Sequence, residues 1–152
     1  MAGVYTPGAI RPDNSIGYLI SKVRIELTSQ IDRELAPLDI TTAQFSIMAH
    51  LAYEMADSAS ALCSEISYDP GAMTRMVDRL EAKGFVRRVR EQGDRRKVRL
   101  ELTREGRAAF PMMKARVVEV LNRLLKGFSK PEAAQFQGYL KRMLANSAEL
   151  GR

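Results

Sequence analysis

From residue 16 to residue 35 the apolar side chains fall at Ile16, Ile20, Val23, Leu27, Ile31 and Leu35, and Pro37 follows. That is the three-to-four-residue spacing of one helix face, closed before a proline, and it predicts a first helix over 16–35. The preceding residues, 1–14, hold two prolines, two glycines and no period, and read as an irregular arm. Thr41-Thr42-Ala43-Gln44 has capping-box spacing and opens a second helix with Phe45, Met48 and Ala52 on one face. Asp57-Ser58 offers a cap for a short third helix reaching Ile66. Asp69-Pro70 repeats the signal for a fourth, over 70–83, stopped by Gly84. Two short helices joined at Ser67-Tyr68 have the lengths of a helix-turn-helix.

After Gly84 the period drops to two. Strands are expected over 85–91 and 97–102, with Val98, Leu100 and Leu102 alternating against Lys97, Arg99 and Glu101. Between them, residues 92–96 form a hairpin tip containing Gly93. Thr103 then caps a long fifth helix carrying Met113, Val117, Val120, Leu121, Leu124 and Leu125, which Pro111 should kink. Ser129-Lys130-Pro131-Glu132 is a second capping box, opening a sixth helix to about Asn146 with Phe136, Leu140, Met143 and Leu144. The pattern predicts a mainly α fold with a small β-hairpin. Within a single domain, 1–152, a winged helix-turn-helix lobe spans 38–103. Long helices at 13–36 and 104–150 carry more apolar surface than this lobe can cover, and form a dimerisation region.

Composition sharpens the picture where it is uneven. The chain of 152 residues carries a net charge of +6. Between Arg87 and Arg99 alone stand seven basic residues (Arg87, Arg88, Arg90, Arg95, Arg96, Lys97, Arg99) against Glu91 and Asp94, a local net of +5. A basic hairpin directly after a helix-turn-helix suits a phosphate backbone and a narrow minor groove. A hairpin charged only for solubility is the plainer reading, but the remainder of the chain is nearly neutral, which disfavours a general solubility role. In the fourth helix Met73, Met76, Val77 and Leu80 make the core stripe. The other side presents Gly71, Thr74, Arg75 and Asp78, with Arg79 beside them. Small residues near the helix start let it enter a major groove, where Arg75 can reach a guanine edge or a phosphate. Arg79 suits DNA contact or an internal pair with Asp78 or Asp94 equally well.

Residues 69–106, and residues 41–51 before them, resemble MarR/SlyA-type bacterial regulators, most specifically at Asp94-Arg95-Arg96 and at Leu102-Thr103. The resemblance implies a triangular homodimer held by helices 1, 5 and 6. It places Arg95 in the minor groove, with Asp94 orienting the wing tip through an ion pair and Arg96 and Lys97 beside it. It implies a repressor on a pseudo-palindromic DNA operator, released by a small aromatic acid or phenol, or by thiol oxidation. The third helix and the turn after it, over residues 61–68, lack the family's alanine-rich run and small-residue turn. On the same analogy Lys22, Phe45, Met48 and Ala49 could line an effector cleft, apolar walls with one cation suiting an aromatic carboxylate. They could equally be core residues with Lys22 exposed.

Other chemistries find little support. His50 is the single histidine and Cys63 the single cysteine, so no metal set, His pair or intrachain disulfide can be built, and no G-x-G occurs. No enzyme activity, cofactor or metal is expected. A protein-interaction adaptor without DNA binding is the alternative class, though it has no use for the Arg-rich hairpin. Cys63, beside Leu62 and Ile66, suits either an inert core thiol or an oxidation sensor. With no basic leader, apolar leader core or membrane-length stretch in the sequence, a cytoplasmic protein is expected.

Overall fold

The computed structural model describes residues 3–91 and 94–150, excepting the side chains of residues 91, 94–97 and 150. Helix α1 spans Ile16–Leu35, α2 Thr42–Ala52, α3 Ala59–Ile66 and α4 Pro70–Ala82. Strands β1 (Val86–Glu91) and β2 (Asp94–Leu102) precede α5 (Arg104–Leu124) and α6 (Lys130–Leu150). This is the winged helix-turn-helix order.

Local chemistry explains the boundaries. At the start of α1 the Ser15 hydroxyl accepts from Tyr18 N–H, and the Tyr5 hydroxyl accepts from Ile16 N–H at 2.9 Å, so the arm folds back to cap the helix. The chain leaves α1 through a 3-10 turn, Ala36–Leu38, and Asp39 at φ 53°. The Thr41/Gln44 capping box forms in both directions. The Asp32 carboxylate of α1 also accepts from the backbone N–H and hydroxyl of Thr42, at 2.7 and 2.8 Å, locking α2 to α1. The buried face of α2 is Gln44, Ile47, Met48 and Leu51, whereas Phe45 and Ala52 are half-buried. The expected Phe45/Met48/Ala52 stripe is thus rotated, with Phe45 at the margin of the core against Phe110 of α5.

The core gathers Leu35, Ile47, Met48, Leu62, Met73, Leu80, Val86 and Met113 from α1 to α5, all essentially inaccessible. Burial of each such aliphatic side chain stabilises the fold by about 1.5–3 kcal/mol. Only the second half of the α1 stripe joins it. Ile31 and Leu35 are buried, while Ile16, Ile20 and Val23 stay exposed, as do Leu19 and Ile25.

The strands pair antiparallel, with Val86 opposite Leu102 and Arg88 opposite Leu100, and an irregularity after Arg90. Strand β2 starts at Asp94, three residues before the expected 97, so residues 94–96 are strand, and the rest of the expected hairpin tip, 92–93, lies outside the described residues. Val98 shares the face of Leu100 and Leu102 but is exposed, beyond the reach of the core. The far edge of β2 is engaged by the α2–α3 loop, since Leu100 N–H donates to the Asp57 carbonyl at 2.7 Å. At the start of α5 the Thr103 hydroxyl accepts from Gly106 N–H and donates to the Gly84 carbonyl. Helix α5 continues unbroken past Pro111.

Residues 3–120 form one compact unit and a second begins at Leu121. In the second, Gly127 turns the chain at φ 92°, Ser129 and Glu132 cap each other, and Phe128 meets Phe136 at 6.4 Å. Helix α6 outruns the expected end at Asn146, and none of its described residues is buried within the chain. Among the described residues no helix is long and apolar enough to cross a membrane.

Candidate nucleic-acid interface

Helix α4 is set up by its own first residues. Ser67, at φ 57°, reverses the chain after α3, and the Asp69 carboxylate accepts from Ala72 N–H at 2.9 Å. Pro70 occupies the first turn, where its missing N–H has no partner to lose. With Met73, Val77 and Leu80 buried and Met76 half-buried, the exposed face carries Gly71, Thr74, Arg75, Asp78 and Arg79. The Thr74 hydroxyl donates to the Pro70 carbonyl at 2.8 Å. Arg75 folds back over the bare Gly71, its Nη1 standing 3.5 Å from where a β-carbon there would sit. Neither Arg75 nor Arg79 makes an ion pair among the described residues, and Asp78 is taken by another partner.

That partner is Arg88 on β1. Its guanidinium donates to Asp78 at 2.6 Å and to Glu81, and its backbone N–H reaches Glu81 at 3.3 Å. The hydrogen bond to Asp78, more than the nearby Glu81, holds the Arg88 guanidinium above its ordinary pKa. On the opposite strand face Glu101 accepts from Arg87 at 2.9 Å and from Arg99 at 2.5 Å. Arg99, then Arg87, pull its carboxyl below the ordinary glutamate value. Three of the seven basic residues counted in the hairpin therefore face carboxylates that lie outside the 87–99 window. The count of charges along the chain overstates the free positive charge, because a sequence window omits partners across the sheet and on the preceding helix. Arg90 is exposed. Asp94, Arg95, Arg96 and Lys97 lie on β2, with their side chains outside the described residues.

The four residues named for an effector cleft separate. Met48 is fully buried in the core and Ala49 half-buried, while Lys22 is exposed, 5.9 Å from the Tyr18 ring of its own helix. Phe45 instead stacks on Phe110 at 5.6 Å, and Tyr53 meets Phe110 edge-on at 6.0 Å. Lys114 donates to the Tyr53 hydroxyl at 2.6 Å and lies 5.4 Å from the ring centre. Sequence reading missed this group. Its available signal was the Phe110/Lys114 spacing of four on α5, which places both on one helix face. A separate groove of about 590 Å³ runs between the α2–α3 loop, β2 and the start of α5, rimmed by Arg99, Glu101 and Arg107. None of the four candidates lines it. His50 is half-buried, its Nδ1 donating to the Ser46 carbonyl at 2.7 Å, and Cys63 is a half-buried free thiol packed on the core.

The family model described as MarR matches residues 40–98, from the α1–α2 turn to the middle of β2. The multiple antibiotic resistance protein MarR of Escherichia coli is 34% identical over 130 residues, 85% of this chain and 90% of that protein. The chain belongs to the MarR family. Two solved structures show what similar chains carry elsewhere. A cysteine-to-serine variant of E. coli MarR complexed with operator DNA superposes with a TM-score of 0.74 at 33% identity, covering 85% of this chain and 93% of that one. CouR from Rhodococcus jostii, bound to p-coumaroyl-CoA, superposes with a TM-score of 0.77 at 26% identity, covering 89% and 95%. Among the described residues of this MarR-family chain no group of histidine, cysteine and carboxylate side chains could hold a metal ion.

Proposed function

We propose that this MarR-family chain acts in the cytoplasm as a homodimeric repressor that binds a pseudo-palindromic duplex DNA operator. The observation that carries the reading is the exposed face of α4, where Arg75 and Arg79 make no ion pair among the described residues and stand beside the small residues Gly71 and Thr74. That combination lets a helix approach a major groove and leaves guanidinium donors for base edges or phosphates. The basic residues of the wing, Arg95 with Arg96 and Lys97, extend the contact to the flanking minor groove, and Asp94 orients the tip. The E. coli MarR structure complexed with operator DNA supports it. Selection of bound duplexes from genomic DNA, followed by titration at two salt concentrations, tests it. Operator binding should weaken steeply with salt, as phosphate contacts demand. Failure to bind any duplex in the pool would favour the adaptor reading.

The effector is a small aromatic carboxylate or phenol. Support comes from the Phe45/Phe110/Tyr53 rings with Lys114 beside them, which combine flat apolar faces with one cation. Lys114 takes the part first given to Lys22. Benzoate-type probes should release operator DNA from the wild type, and Lys114→Met should blunt that response while Lys22→Met retains it. Unchanged release from Lys114→Met would place the ligand elsewhere.

A further inference from the structure

We propose that Arg88 is a positioning residue which fixes the angle of the wing on the recognition helix α4. The inference rests on the DNA-binding reading above. The connection from α4 to β1 is short and contains Gly84 at φ 74°, a residue with no side chain to restrict its pivoting. Across that pivot only the base of the hairpin is held, among the described residues, by buried Val86, Leu100 and Leu102 with Phe85 beside them and by the Thr103 bonds to the Gly84 and Phe85 carbonyls. Arg88 stands one pair further out, opposite Leu100, on the same strand face as these apolar residues. From there its planar fork reaches Asp78 and Glu81, three residues apart and so on one face of α4. Glu81 also accepts from the Arg88 backbone N–H, so strand as well as side chain is held. A second tie fixes the other side of the same helix end, where Lys83 is paired with Asp39 of the α1–α2 turn. With α4 anchored to the lobe and β1 anchored to α4, wing and recognition helix present one rigid surface. DNA then need not order the hairpin as it binds, and the ordering cost falls on folding instead.

The sign of one mutational effect separates this role from simple electrostatics. Asp78 and Glu81 are exposed on or beside the face that would meet DNA. If they acted only as charges, Asp78→Asn with Glu81→Gln would strengthen binding to a polyanion. As anchors for Arg88, their loss should weaken operator binding by about tenfold, an ordering effect. In that background Arg95→Ala should cost little more, because the wing contact is already impaired. Arg88→Lys, which keeps the charge but not the fork, should weaken binding in the same direction, and the swap Arg88→Glu with Glu81→Arg should recover part of it. Tighter binding by the double variant, or full additivity with Arg95→Ala, overturns the proposal. Amide hydrogen exchange in the free protein gives a reading independent of DNA. The double variant should exchange faster at Val89, Arg90 and Arg99 while α1 is unchanged, and unaltered exchange at the hairpin also overturns the proposal. If wild type bound no duplex, the DNA reading would fail while exchange still reported on the tie. Glu81→Gln alone serves if the double variant does not fold.

Discussion

Gly106, in the first turn of α5, packs so closely on Phe85 that a β-carbon there would collide with the Phe85 carbonyl oxygen and carbon. The same carbonyl accepts from Thr103 N–H at 3.0 Å, so it cannot swing aside without breaking the joint between wing and α5. Gly106→Ala should therefore destabilise the fold by about 2 kcal/mol or more, an overpacking cost against backbone instead of a flexible side chain. Urea unfolding measures it. Gly8→Ala, with nothing within 4 Å of the added carbon, is the control and should be near neutral.

Stability should also depend on pH through the outer face of the wing. Arg99 and Arg87 hold the Glu101 carboxyl below its ordinary value of 4.5, so its folded form binds a proton less readily than its unfolded form. The stabilising contribution is then complete above that value and is lost as pH falls through the depressed folded value. Asp39 beside Lys83 and Glu132 beside Ser129 shift in the same direction. Carbon-detected NMR titration should place the Glu101 midpoint below 4.5, and Arg87→Ala with Arg99→Ala should return it there.

Assembly follows from what α1 leaves uncovered. Val23 and Ile25 are more than half exposed in the isolated chain. Sedimentation at micromolar concentration should give twice the 17.0 kDa chain mass. Val23→Asp would be nearly silent on a solvated helix face, and in a dimer should cause dissociation or loss of folding. Leu121→Asp and Leu140→Asp should act alike, each placing a charge in an apolar seam. A stable, well-folded wild-type monomer is the result that removes the dimer from the account.

The two arginines proposed at DNA should fail differently. Arg75→Ala should lose about 1–3 kcal/mol at one base position per half-site and relax preference there. Arg95→Ala should weaken specific and scrambled duplexes alike and flatten the dependence of log affinity on log salt. Equal losses for Arg75→Ala on both duplexes would make it a phosphate contact.

Most element boundaries were legible because the signals that set them are local. The bounds of α1, the Thr41/Gln44 and Ser129/Glu132 capping boxes, the Asp69 cap and the left-handed Gly84 each depend on residues within a turn of one another. The start of β2 was misplaced because Asp94, Arg95 and Arg96 have turn-like, charged chemistry, yet the strand runs through them to the pairing of Asp94 with Glu91. The pairing of Arg88 with Asp78 and Glu81 was illegible for a related reason. Nothing in a list of charges says which of them the connection at Gly84 folds together. The Lys114–Tyr53 contact bridges 61 positions and had no local signature.

The bond from Leu100 to Asp57 leaves β2 flanked on both sides, and β1 as the strand with the open edge. An open edge is a template on which another chain can build a strand, the first step toward aggregation. On β1 that edge is partly closed at Arg88, whose N–H already donates to the Glu81 carboxylate of α4, and the exposed, charged Arg90 stands two residues further along. The Glu81 carboxylate thus blunts the strand against self-association as well as holding it, and variants that remove it would leave this edge open to a second chain.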